Sequence, residues 1–138
     1  MYKFRGRTPQ NMWVKGYYFA KPILEKHFIL TGDEQWLVEK DTVGLYIGND
    51  KLGNELYVGD IVSYVWSPAC PPVKMVITYE HGECLLTPVS KTCPHHGKCM
   101  HAPSIYKACP LWAIRIQDQF ENIQLMSNIF DMPSLLEP

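Results

Sequence analysis

Apolar and polar positions along this chain change in short steps, and the runs rich in β-branched and aromatic residues are short enough to be strands. They are WVKGYYFA (Trp13 to Ala20), HFIL (His27 to Leu30), QWLVE (Gln35 to Glu39), LYVGDIVSYVW (Leu56 to Trp66), VKMVITYE (Val73 to Glu80) and CLLTPV (Cys84 to Val89). Gly, Asp, Asn or Pro punctuates each of them, which reads as β architecture built from hairpins. Between Gly48 and Glu55, the stretch GNDKLGNE offers the glycines and asparagines that a tight connection needs. His81-Gly82 separates two strand-like runs and reads as a hairpin loop, so Leu56 to Trp66, Val73 to Glu80 and Cys84 to Val89 are predicted as consecutive antiparallel strands. Gly59-Asp60 immediately precedes a strand, a corner that commonly leads into a small SH3-like barrel. Gly59 is expected at a positive φ there. The tail is ambiguous, because Ile116, Phe120, Ile123 and Met126 partly fit a helical stripe while the same stretch also reads as two strands around a loop at Asp118 to Asn122. The expectation is a mainly β fold, a small antiparallel barrel-like or SH3-like architecture with an inserted Cys/His-rich loop.

Composition narrows the picture only modestly. At 138 residues and 46% hydrophobic, the chain has the size of one domain with its own core. Its 13 basic and 14 acidic residues give a net charge of −1, so no overall field draws it to DNA or an anionic membrane, and nucleic-acid binding would need a local patch. No apolar run approaches the roughly 20 residues of a membrane span, and MYKFRGRTPQ does not read as the start of a signal peptide. Five cysteines, an odd number, are expected mostly as thiols or ligands in a reducing cytosol.

Enzyme chemistry finds little purchase. Gly48 and Gly53 have the glycine spacing of a phosphate loop, but Asn54-Glu55 stand where Lys and Ser/Thr are required. No nucleophile-elbow motif occurs, and Glu80 and Glu83 flank a hairpin loop, where paired carboxylates are usually solvated. Lys3, Arg5, Arg7 and Lys15 lie close to Trp13, Tyr17, Tyr18 and Phe19, the mixture of phosphate contacts and stacking faces that single-strand binders use on β surfaces. The competing expectation is that the alternating aromatics pack a core while the basic residues stay solvated. The compositional break at Ser90 to Pro110 holds three prolines, three cysteines and three histidines. Within it, CPHHGKCMH combines thiolates and imidazoles, the set zinc selects in structural sites. Cys93, Cys99 and Cys109 are the candidate thiolates and His101 the candidate fourth ligand. Cys93 and Cys99 enclose five residues, wider than the usual zinc knuckle, and the competing expectation, toward which the balance leans, is a packed or solvated insertion without metal.

YKFRGR near the start, DTVGLYIGNDKLGNELYVGDIVSY in the middle and MSNIFDMPSLLE at the end together resemble the YopX protein family, small proteins encoded by phages and prophages. The central match runs through Thr42-Val43-Gly44, Tyr46, Gly48, Asp50, Lys51, Gly53, Tyr57 and Gly59-Asp60-Ile61-Val62 in order and spacing. Residues 2 to 89 are covered continuously and 111 to 137 more loosely. Ser127 and Phe130 stand where the closing motif usually has glycine and tyrosine, and residues 90 to 110 read as an insertion. The resemblance implies a single mainly β domain over 1–138 acting inside a bacterial host, and supplies no catalytic residues. The expected function is a non-enzymatic accessory protein that binds a host or phage protein. The alternatives are a nucleic-acid-binding β module using Lys3, Arg5, Arg7 and Lys15, and an unrecognised enzyme.

Overall fold

The computed structural model describes residues 3–65, 71–90, 109–110 and 119–137. Among the described residues there is no α-helix, and the strands form two mainly antiparallel sheets, neither closed into a barrel. Among the described residues, no helix is long and apolar enough to cross a membrane. The chain divides into two compact units, residues 1–46 and 47–138.

In the first unit, β1 (Phe4–Arg7), β2 (Trp13–Lys21), β3 (Lys26–Thr31) and β4 (Glu34–Val38) follow one another as antiparallel neighbours. The opening residues of β5 (Gly44–Asp50) pair with β1, Leu45 opposite Phe4. The sheet curls. A Cβ at Gly6 would lie 2.9 Å from the Cβ of Val38, so only glycine lets the two strands approach. Just beyond β4, the Glu39 N–H donates to the Arg7 carbonyl at 2.9 Å. Thr42, buried in the next turn, secures the seam: its hydroxyl accepts from the Arg7 N–H at 2.8 Å and donates to the Glu39 carbonyl at 2.7 Å. The period of two along a strand puts Phe4, Gly6, Tyr18, His27, Ile29 and Val38 on the inner face of this curl. Ile29 and Val38 are buried there, the Phe4 and Tyr18 rings meet at 5.5 Å, and the Tyr18 hydroxyl bonds His27 Nδ1 at 2.7 Å.

The second unit carries the larger core. Its sheet runs β10 (Cys109–Pro110), β9 (Glu83–Pro88), β8 (Val73–Glu80), β7 (Asp60–Tyr64), β12 (Ile123–Asn128). The remainder of β5 pairs with β6 (Glu55–Tyr57) and, in parallel, with β11 (Gln119–Phe120). Val73, Met75 and Ile77 alternate inward along β8 and join Leu56, Val62, Leu86, Phe120 and Ile123 in one buried cluster. Each such side chain contributes roughly 1.5–3 kcal/mol by leaving water.

The three predicted consecutive strands are present as β7, β8 and β9. The run from Leu56 to Trp66 is not one strand, however, because Val58-Gly59 turns the chain between β6 and β7. Gly59 holds φ +99°, as its corner position requires. His81 (φ +53°) and Gly82 (φ +79°) make the hairpin turn that joins β8 to β9. In the tail, 119–120 and 123–128 are strands around a turn at Glu121-Asn122, which resolves the helix-or-strand ambiguity for those residues.

Candidate nucleic-acid interface

The same period of two that turns Tyr18, Ile29 and Val38 inward sends the intervening residues to the outer face of the first unit's sheet. Arg5 and Arg7 come from β1, and Trp13, Lys15, Tyr17, Phe19 and Lys21 from β2. Lys26, Phe28 and Leu30 follow on β3, and Gln35 and Leu37 on β4. Cross-strand geometry confirms the sharing. Phe19 and Phe28, directly paired, stack with ring centroids 5.4 Å apart, and Lys21 Nζ lies 5.1 Å from the Phe28 ring. The Arg5 guanidinium lies 4.6 Å from the Trp13 ring, and that of Arg7 lies 5.9 Å from the same ring. Lys3, one residue before β1, places Nζ 4.4 Å from the ring of Tyr46.

Among the described residues, no carboxylate occupies a strand position on this face. Glu25 and Asp33 stand in turns, Glu39 lies past the end of β4, and Glu34 falls on the opposite register. The sequence-predicted cations Lys3, Arg5, Arg7 and Lys15 are therefore brought to one face, but not to one role. Arg5 is buried, at 8% exposure, and serves Trp13 rather than solvent. Lys15 is open to solvent. The accessible sector lies further along β2 and across β3, where Lys21 and Lys26 are exposed and Tyr17 (50%), Leu30 (38%) and Leu37 (40%) leave apolar surface in water. Lys21, Lys26 and Phe28 went unrecognised in the sequence because they join the patch only through the β2–β3 register. The available signal was the alternation of WVKGYYFAK beside KHFILT.

Cys93, Cys99 and His101 lie outside the described residues, and Cys109 enters only as backbone in β10, paired with Leu86. Among the described residues, no group of three or more His, Cys, Asp or Glu is placed to hold a metal. Glu80 and Glu83 are partners at the end of the β8–β9 hairpin, both exposed. Cys84 on β9 is half-buried, and burial, reinforced by the Glu83 charge, pushes its thiol up, away from a nucleophilic thiolate.

In comparisons with known proteins, the chain matches no family model and no curated protein sequence.

Proposed function

We propose that the protein binds single-stranded nucleic acid, without catalysis, through the outer face of its first sheet. One observation carries the reading: lysines and arginines alternate with aromatic rings on a face whose strand positions hold no carboxylate, in a chain of net charge −1. The segregation supplies the local positive patch that the total charge does not. Lys15, Lys21 and Lys26 meet phosphates, and Tyr17 with the Phe19–Phe28 pair gives bases a stacking platform. The test is fluorescence anisotropy of a labelled single strand across a salt series. Each phosphate contact adds about −0.7 to the slope of log K against log salt. Lys15→Ala, Lys21→Ala and Lys26→Ala combined should flatten it by about 2. A slope that the triple variant leaves unchanged removes the reading.

A protein partner, the function first expected from the family resemblance, has support of its own at the β2–β3 turn. Ile23 and Leu24 there are 98% and 59% exposed. Binding of that kind would depend little on salt and would be lost in Ile23→Ser with Leu24→Ser. Membership of the YopX family, a small-barrel or SH3-like description of the fold and a bacterial cytoplasmic setting belong with this second reading.

A further inference from the structure

The curl of the first sheet leaves a cavity of about 660 Å³ where the turn after β1, the β2–β3 turn and the end of β4 come together. That is the size range of a site for one small ligand. Its walls include Pro9, Pro22 and Leu37, flat or apolar surfaces suited to the face of a ring. Glu25 and Glu39 are among the lining residues, and their carboxylates accept hydrogen bonds and donate none. Lys26 and Lys40, each carrying an ammonium group, and His27 line the same space. Lys26 and Leu37 belong also to the outer face, so the cavity opens directly from the end of the cation and aromatic track.

We infer that this cavity receives one nucleotide of the bound strand and selects a base carrying an exocyclic amino group, with cytosine as the reference case; the inference rests on the nucleic-acid reading above. The chemistry follows from the lining. A carboxylate accepts from the cytosine N4 amino group, whereas thymine presents a carbonyl oxygen at the same position and meets carboxylate oxygens with repulsion. The lysines neutralise the adjoining phosphate and the carboxylates beside it. Pro9, Pro22 and Leu37 offer flat or apolar surface against which the face of an unstacked base can lie.

The experiment compares dC and dT homo-oligomers of equal length, which share a backbone and differ only at the base, at one salt concentration near neutral pH. The expected result is about tenfold tighter binding of the dC strand, the scale of one good base contact. In Glu25→Gln with Glu39→Gln the preference should vanish while affinity for the dT strand is kept or improves, because a carboxamide both donates and accepts. The fold should tolerate the change, since the interactions that hold the seam use the Glu39 backbone. Cytidine monophosphate alone should shift the amide resonances of His27, Glu39 and Lys40, and thymidine monophosphate should not. Equal binding of dC and dT by the wild type, or a preference that survives in the double variant, overturns the inference and leaves the binding face standing. Failure of both strands to bind overturns the face reading and the cavity assignment together.

Discussion

At the scale of single residues, Asp50 at the end of β5 is fully buried, and the groups that keep it charged are all within hydrogen-bond reach. Its carboxylate accepts from the backbone N–H of Leu52, Asn54 and Leu125, each at 2.9 Å, and from Asn54 Nδ2 at 3.0 Å. Burial alone would raise its pKa. The donors of Leu125, Asn54 and Leu52 outweigh that and hold it below the usual aspartate value. A depressed folded-state pKa means the stabilisation is fully present above the unfolded value, about 3.9, and drains away as pH falls through the lower folded value. Asp50→Asn should therefore cost on the order of 2–4 kcal/mol in denaturant unfolding at pH 7, since an amide turns an N–H toward other donors. The gap from wild type should narrow in strong acid. Gly59→Val tests a different constraint: a β-branched residue at φ +99° should lower stability by about 1–3 kcal/mol. An unchanged melting temperature would show that the corner accommodates a side chain.

At the scale of elements, β8 was legible because its alternation is clean, with Val73, Met75 and Ile77 inward and Lys74, Val76 and Thr78 less buried. Ile77→Ala should cost about 2–5 kcal/mol in thermal or denaturant unfolding. Thr78→Ala should cost much less, no more than the 2.8 Å hydroxyl contact with Thr87, about 1 kcal/mol. Similar losses in the two variants would contradict the inward register. The corner at Gly59-Asp60 was marked by its residues, but the β-rich run from Leu56 to Trp66 did not show that it separates two strands, since composition records propensity and not where the ladder is interrupted. The tail was ambiguous for a related reason. Phe120 and Ile123 are three apart, a spacing that serves one helix face or two short strands, and burial of both in the second core favours the strands.

At the scale of the whole molecule, the near-neutral charge gives no general attraction to polyanions, so the proposed binding of a single strand depends on one face. A duplex hides the faces of its bases from Tyr17, Phe19 and Phe28. Single strands should therefore bind at least about tenfold tighter than duplexes of equal length at the same salt concentration. Equal affinities would reduce the face to a phosphate-binding patch. The linear sequence by itself determined the β class, the hairpin turn at His81-Gly82 and the positive φ of Gly59, because alternation and backbone freedom are local properties. It also marked Lys3, Arg5, Arg7 and Lys15 as companions of aromatics. Only the tertiary structure decided that Arg5 is buried against Trp13, that Lys21 and Lys26 join Lys15 on the open face, and that Glu25 and Glu39 line one cavity. It decided too that Leu125 donates to Asp50 from 75 residues away. Those outcomes depend on strand register and sheet curl, which arise when segments distant along the chain pack together and which no local pattern encodes.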